Sequence, residues 1–165
     1  MNYSDTDEPV YNEEYAKRYN DIWGDSEKWN PLARQHIDTF RSLLNENTKW
    51  LDAGCGTGYF LSSFPEIERA GFDKSEPMLE QARQANPGIE LKKNDLRDRI
   101  TEWEGKWDLV SCTGQPWTYL PLLSDIHTAV SHLAAYTNNE GKLFLTFFDI
   151  TDFTENSLPR FYTSS

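Results

Sequence analysis

Cysteines and long apolar runs are scarce in this sequence, and each shortage excludes a class of protein. The two cysteines, Cys55 and Cys112, have no second thiol nearby and indicate neither a disulfide framework nor a clustered zinc site. No run approaches the roughly 18 apolar residues of a membrane span, and the N-terminus lacks the basic-then-apolar profile of a signal peptide. We therefore predict a cytoplasmic protein that does not enter a membrane and holds no metal ion.

Basic residues are also in short supply. Sixteen lysines and arginines stand against 27 aspartates and glutamates, which gives a net charge of −11. Phosphate backbones and anionic lipid surfaces would be repelled by such a chain. The sequence therefore argues against nucleic acid as a partner and leaves a small molecule as the expected ligand.

The first part of the chain predicts a short tail and two helices within a single domain of 165 residues. Residues 1–9 lack apolar periodicity and are predicted to be a disordered tail, whereas residues 10–47 form a helical region. Asn30 and Pro31 suit the start of the second helix. The first helix should carry one face of large side chains, namely Tyr11, Tyr15, Tyr19, Ile22 and Trp23.

Residues 48–149 alternate short apolar runs with segments of helical period, which indicates a parallel sheet. Ser75 suits the N-cap of a helix that closes at residues 86–88, and residues 150–165 read as the start of an incomplete C-terminal region. The predicted fold is an α/β, Rossmann-like, doubly wound and mostly parallel sheet with helices on both faces. Strands are predicted at 50–53, 70–73, 89–93, 107–112 and 142–148, and further helices at 59–64, 97–103 and 121–136, the last with Leu122, Ile126, Val130 and Leu133 turned inward.

A glycine-rich loop follows the first predicted strand, where an open parallel sheet binds its ligands. Its sequence is Asp52-Ala53-Gly54-Cys55-Gly56-Thr57-Gly58, and the alternate glycines let the backbone turn tightly beside a ligand. Asp73 ends the next strand nineteen positions after Gly54, where its carboxylate can accept hydrogen bonds from ribose hydroxyls. The combination indicates a nucleoside ligand.

The spacing of the loop separates two classes of nucleoside cofactor. A dinucleotide fingerprint would need a third glycine at position 59 or 61, where Tyr59 and Leu61 stand. Asp52 would also repel a pyrophosphate, but it suits a ligand that carries an ammonium group. These features favour S-adenosylmethionine, and they disfavour a nicotinamide-dependent oxidoreductase.

The stretch from Leu51 to Phe60 resembles the first motif of class I S-adenosylmethionine-dependent methyltransferases of the small-molecule type, and the resemblance covers residues 10–149. It implies that Asp52 and the glycine loop line the methionine moiety, that Asp73 binds the ribose, that Asp95 addresses the adenine amino group, and that two tyrosines form a lid. Core packing remains the alternative for those tyrosines. The implied cofactor-binding residues are Tyr11, Tyr19, Asp52, Gly54, Cys55, Gly56, Gly58, Asp73, Lys74, Met78, Asn94, Asp95, Leu96, Cys112 and Thr113.

The segment after the fourth predicted strand should lie near the methyl acceptor. Gln115, Trp117 and Tyr119 are candidates for substrate contacts, with a structural role equally open for the two aromatic residues. No catalytic residue can be named. Residues 113–119 contain no histidine or glutamate, which favours an amine acceptor, because an amine needs no base beyond being neutral when it attacks.

The predicted function is therefore methyl transfer from S-adenosylmethionine to a small molecule by in-line displacement. Two alternatives remain, a non-catalytic S-adenosylmethionine-binding module and a fragment of a larger enzyme, because the chain ends seventeen residues after Phe148, before the strands that usually complete this family's sheet. An uncovered fifth strand would expose an apolar edge, which predicts self-association or a partner at that edge.

Overall fold

A computed structural model describes residues 11–24 and 30–147. Five helices and five strands are arranged in the alternating order expected for an α/β domain. The helices are α1 (Glu13–Tyr19), α2 (Asn30–Leu43), α3 (Tyr59–Ser62), α4 (Glu76–Ala85) and α5 (Leu123–Tyr136). The strands are β1 (Lys49–Ala53), β2 (Glu68–Asp73), β3 (Glu90–Lys93), β4 (Trp107–Cys112) and β5 (Thr137–Leu145). A π-helical turn (Asn20–Gly24) extends α1, and 3₁₀ turns occur at Thr101–Trp103 and Pro116–Tyr119.

The five strands form one parallel sheet in the order β3-β2-β1-β4-β5. β1 therefore lies at the centre, between β2 and β4, and the chain winds outward from it in both directions. The predicted α/β, Rossmann-like, doubly wound fold is confirmed.

Side chains along each strand alternate between two apolar clusters, one on each face of the sheet, because successive strand residues point to opposite sides. Burial of large side chains in both clusters, at about 1.5–3 kcal/mol each, holds the helices to the sheet. One cluster lies under α5 and includes Leu51, Ala53, Val110, Cys112, Leu133 and Tyr136, and the other lies under α2 and α3 and includes Phe40, Trp50, Leu61, Phe64 and Leu109.

Several boundaries differ from the sequence prediction. The segment 97–103 is not a helix over its length, since only Thr101–Trp103 forms a 3₁₀ turn. The predicted helix at 59–64 ends at Ser62, and the predicted helix at 121–136 begins at Leu123. Leu122 is 61% exposed, so its predicted inward position was wrong, whereas Ile126 and Val130 pack against the core. Residues 1–9 and 150–165, for which a tail and an incomplete C-terminal region were predicted, lie outside the described residues.

The fifth strand begins five residues before the predicted start at 142. Its polar opening, Thr137-Asn138-Asn139-Glu140-Gly141, hides the strand from any apolar pattern. Gly141 allows the two backbones to approach closely, since a Cβ there would lie 2.7 Å from the Trp107 carbonyl oxygen, and the β4–β5 register shifts at this point. Phe148, the predicted end, lies outside the described residues.

Candidate functional site

The carboxyl ends of β1 and β4 form the point at which this sheet changes winding direction. From β1 the chain crosses to β2 on one side, and from β4 it crosses to β5 on the other. Loops that leave adjacent strands in opposite directions open a crevice above the sheet, which is where α/β proteins bind ligands. The loops after β1 and β4 border this crevice, together with the loop after β2, the strand next to β1 in the sheet.

The loop after β1 is a tight glycine turn held by its own backbone. Gly54, Gly56 and Gly58 all have positive φ angles, of 68°, 54° and 70°, which other residues rarely adopt. The amide groups of Gly54 and Cys55 both donate to the carbonyl oxygen of Phe72, which ties the loop to β2. Gly58 also lacks room for a side chain, because a Cβ there would lie 2.5 Å from Asn86 Nδ2.

Asp73, at the end of β2, fastens this loop with its carboxylate. Oδ2 accepts from the Gly56 amide at 2.8 Å, and Oδ1 accepts from the Ser75 amide at 2.9 Å. Burial raises the pKa of Asp73, and these backbone hydrogen bonds oppose the rise. The side chain predicted to bind ribose thus lies beside the glycine turn, where it also orders the turn and the start of α4.

Asp52, at the end of β1, is a buried carboxyl group next to the same loop. Ser111 Oγ donates to its Oδ1 at 2.6 Å, and Trp50 Nε1 donates in turn to Ser111 Oγ at 2.7 Å. Burial raises the pKa of Asp52 to about 7, the Ser111 hydrogen bond opposes the rise, and the charge of Asp73 adds to it. A cationic ligand beside Asp52 would favour its ionised form. Sequence reasoning missed Ser111 and its donor Trp50. Ser111 reaches Asp52 through the β1–β4 pairing, and Trp50 contributes through its hydrogen bond to Ser111.

The residues predicted to flank the adenosine occupy the ends of β2 and β3. Asp95 is bound by Arg97 at 2.9 and 2.8 Å and by Lys74 at 3.3 Å, and the Arg97 hydrogen bonds are the main cause that lowers its pKa to about 2. Leu96 is buried in the cluster under α5. Met78 reaches the glycine turn, where its Cε lies 3.3 Å from the place that a Gly56 Cβ would take.

The segment from Tyr11 to Gly24 spans the crevice and is tied down at three separate places. Ser75 Oγ donates to the Tyr11 carbonyl oxygen at 3.2 Å, and the two phenol groups of Tyr11 and Tyr119 are 2.7 Å apart. Thr57 Oγ1 donates to Asn20 Oδ1 at 2.6 Å. These contacts join the segment to the loops after β1, β2 and β4, the three strands whose ends border the crevice. Tyr19 packs on Tyr15 and Trp23, and the lid role of Tyr11 and Tyr19 stays a prediction.

The loop after β4 contains the predicted acceptor contacts in very different settings. Trp117 is buried, stacks on Phe147 with ring centroids 5.3 Å apart and donates from its indole N–H to the Thr146 carbonyl oxygen. Tyr119 is 61% exposed. Gln115 has a left-handed backbone, with φ 61° and ψ 49°, and its buried Oε1 has no hydrogen-bond partner among the described residues. Cys112, the last residue of β4, and Thr113, which follows it, are both buried.

Metal-binding clusters, thiols and membrane-spanning helices were also considered in the sequence prediction. Across residues 11–24 and 30–147, no three histidine, cysteine, aspartate or glutamate side chains are grouped so as to hold a metal ion. Cys55 and Cys112 are free thiols, and burial raises the pKa of both. No helix in that part of the chain is both long and apolar enough to cross a bilayer.

Comparison with known proteins relates the chain to methyltransferases. A family model described as a methyltransferase domain matches residues 26–163. Glycine/sarcosine N-methyltransferase of Halorhodospira halochloris is 29% identical over 152 residues, which cover 86% of this chain and 55% of the relative. An N,N-dimethyltransferase of a dTDP-amino sugar from Streptomyces venezuelae is 33% identical over 112 residues, which cover 66% of this chain and 46% of that protein.

A solved methyltransferase structure also resembles this chain. The S-adenosylmethionine-bound structure of CalS10, an amino pentose methyltransferase from Micromonospora echinaspora, matches with a TM-score of 0.64 and 28% identity. The match covers 84% of this chain and 57% of that one. The chain spans about half the length of the curated relatives that it matches.

Proposed function

The chain belongs to the methyltransferase-domain family, and we propose that it transfers a methyl group from S-adenosylmethionine to the nitrogen of a small-molecule amine. One observation carries the proposal: the buried carboxyl group of Asp52 and the partly buried carboxyl group of Asp73 flank a left-handed glycine turn beneath a tethered N-terminal segment. Relatives whose names specify glycine, sarcosine and amino sugars as acceptors support the choice of nitrogen.

The residues around the glycine turn suit this cofactor chemically. Asp52 offers a negative charge to the ammonium group of the methionine moiety, and the glycine turn leaves backbone within reach of it. Asp73 uses one lone pair of each oxygen for the loop, and the remaining lone pairs can accept from ribose hydroxyls. We expect the adenosine to bind beside Met78 and Asp95. When bound, the cofactor supplies a methyl group that is already attached to a good leaving group.

The remaining task of the protein is to align the amine and to keep water out. The segment from Tyr11 to Gly24, held at the loops after β1, β2 and β4, would cover the reacting groups. Residues 113–119 supply no histidine or glutamate base. An amine that arrives neutral needs none, because its own lone pair attacks the methyl carbon.

The first test measures methyl transfer by the 165-residue chain from S-adenosylmethionine to glycine, to sarcosine and to a dTDP-amino sugar. Glycolate, which replaces the glycine amine with a hydroxyl, is the matched control acceptor. We expect methylation of at least one amine and none of glycolate. Equal methylation of glycolate would contradict the proposed nitrogen acceptor.

A second test separates the cofactor from the reaction. Calorimetric titration should show micromolar binding of S-adenosylhomocysteine and no binding of NADH. Binding without any turnover would favour the alternative, a cofactor-binding part of a larger enzyme, to which the half-length coverage of the relatives also points. Binding of NADH alone would overturn the cofactor assignment.

We also propose a cytoplasmic location and self-association at the β5 edge of the sheet. The acidic composition, with a net charge of −11, suits a cytoplasmic protein that acts on a small molecule rather than on nucleic acid. β5 borders the described sheet on one side, and self-association there is a further expectation. Light scattering at two protein concentrations would detect it.

A further inference from the structure

Four buried side-chain polar atoms in the described part of the chain lack a hydrogen-bond partner, and two of them lie at one corner of the crevice. Arg69 and Trp107 stand near the amino ends of β2 and β4, away from the crevice. Gln115 Oε1 and Thr146 Oγ1 stand just beyond the carboxyl ends of β4 and β5. A buried oxygen without a partner destabilises the protein, so such atoms call for a ligand or another explanation.

The local contacts place these two residues in one corner. The Thr146 amide donates to the Cys112 carbonyl oxygen at 3.2 Å, which draws the end of β5 to the end of β4. Trp117, two residues after Gln115, donates to the Thr146 carbonyl oxygen at 2.9 Å. Pro116 lies against the glycine turn, because a Cβ on Gly54 would be 3.5 Å from the Pro116 Cγ. The corner therefore borders the turn that we assign to the cofactor.

The backbone of Gln115 is held in an unfavourable conformation. Its φ of 61° is the only positive value among the described residues other than glycine, and it follows Gly114 at 73°. Left-handed backbone is unfavourable in a residue with a side chain, because its Cβ crowds the following carbonyl oxygen. The Thr118 amide and hydroxyl both donate to the Gln115 carbonyl oxygen, at 3.1 and 2.9 Å, and fix this conformation. Strain of this kind concentrates at ligand sites.

We propose that Gln115 and Thr146 bind the methyl acceptor directly, with Gln115 Oε1 accepting a hydrogen bond from its amine. An amide oxygen can only accept, so it selects a group that carries N–H or O–H hydrogens. A neutral amine that donates one hydrogen to Gln115 keeps its lone pair free to attack. The Thr146 hydroxyl can donate, so the acceptor should also carry a carboxylate or hydroxyl oxygen near the amine. This inference rests on the proposed function and names the class of acceptor.

The test replaces each oxygen by an apolar group of similar size. Gln115→Met and Thr146→Val remove the unpaired atoms and keep the volume, and Thr137→Val, at the other end of β5, is the matched control for the second change. We expect Gln115→Met to raise the KM of the amine about tenfold, and Thr146→Val severalfold. The Kd of S-adenosylhomocysteine should stay within twofold, and neither variant should unfold more easily than the wild type.

The melting temperatures of the variants distinguish a substrate-binding role of Gln115 and Thr146 from a structural one. Removal of an unpaired buried oxygen should leave the melting temperature unchanged or higher, whereas loss of a structural contact would lower it. Thr137→Val should lower it slightly, because the Thr137 hydroxyl donates to the Ala134 carbonyl oxygen, and should leave the KM unchanged.

Different results would contradict the proposed methyl transfer and the proposed acceptor contact. A wild-type chain that methylates an amine beside a Gln115→Met variant with the same KM would overturn the acceptor contact alone. A lower melting temperature of both Gln115→Met and Thr146→Val would also overturn it. A wild-type chain that binds S-adenosylhomocysteine but methylates none of the amines would overturn the proposed function and this inference with it.

Discussion

The two halves of the crevice are built on opposite principles. In the glycine-loop half, at the ends of β1 and β2, both carboxylate oxygens of Asp73 and one of Asp52 accept a hydrogen bond of 2.6–2.9 Å from the protein. In the β4–β5 half, Gln115 and Thr146 keep buried oxygens without partners among the described residues, and Tyr119 and Phe147 are largely exposed. The first half is complete before any ligand arrives. The second half requires a ligand to satisfy it.

The largest expected contrast between the halves comes from a pair of glycine substitutions. Gly58→Ala should destabilise the fold by about 2–4 kcal/mol, because it combines a left-handed backbone with a Cβ placed 2.5 Å from Asn86 Nδ2. Gly114→Ala has a similar φ, but nothing lies within 4 Å of its Cβ, so it should cost only about 1–2 kcal/mol. Urea denaturation of both variants gives the comparison. Equal losses would show that packing at Gly58 is unimportant.

Removal of the Asp73 carboxylate should weaken cofactor binding next most strongly. Asp73→Ala frees the Gly56 and Ser75 amides, so the glycine turn loses its order as well as a ligand contact. We expect the Kd of S-adenosylhomocysteine to rise about 100-fold, since two hydrogen bonds to a charged group are lost. Calorimetry measures this. Asp98→Ala, which removes the same charge from an exposed position nearby, should leave the Kd unchanged.

The pH dependence of binding should reveal the state of Asp52. Its pKa is about 7 in the free protein, and a bound cation favours ionisation, so S-adenosylmethionine should bind about tenfold more tightly at pH 8 than at pH 6. Calorimetry in buffers of different ionisation enthalpy should detect proton release on binding. Asp52→Asn should remove both effects, and a profile that stays pH-dependent in this variant would assign the effect to another group.

The same shift predicts the sign of a stability change. Because the pKa of Asp52 lies above the unfolded value of 3.8, the unfolded chain loses this proton first as the pH rises. The free energy of unfolding of the unliganded protein should therefore fall between about pH 4 and pH 7 through this group. In Asp52→Asn that contribution should be absent.

The smallest expected effect concerns the bridge between the two halves. Tyr119→Phe removes the hydrogen bond to Tyr11 and should speed release of S-adenosylhomocysteine two- to fivefold, because an exposed hydrogen bond contributes about 0.5–1 kcal/mol. Stopped-flow fluorescence measures the release rate. Tyr15→Phe is the control, since its phenol accepts from Trp23, eight residues along the same segment, and this hydrogen bond does not cross to the β4 loop. An equal effect in both variants would argue against a bridge.

The sequence predicted most of the glycine-loop half, because its signals are local. Ser75 caps α4 as expected, with its hydroxyl accepting from the Met78 amide, and the glycine turn follows β1 directly. The hydrogen bond between Gly56 and Asp73 joins residues seventeen positions apart and could not be read from spacing alone. Ser111 meets Asp52 across 59 positions, through strand pairing that no local pattern encodes.

The β4–β5 half was predicted less well for a physical reason. The polar residues that open β5 find hydrogen-bond partners within the protein, since the Thr137 hydroxyl donates to the Ala134 carbonyl oxygen and Asn138 Nδ2 donates to Asp108 Oδ1, so no apolar alternation marks the start of the strand. The left-handed backbone of Gln115 contradicts the usual preference of glutamine, so only the structure could reveal it. Both failures occur where tertiary contacts override local preference.

The three ties of the segment from Tyr11 to Gly24 also have a consequence for folding. They join residues 37, 64 and 108 positions apart, so each closes a long loop, and we expect them to form after the sheet has assembled. This segment should therefore dock last and detach first, with amide protons that exchange faster than those of β1 and β4. An opening of this kind would let a nucleoside enter the crevice without unfolding of the sheet beneath it.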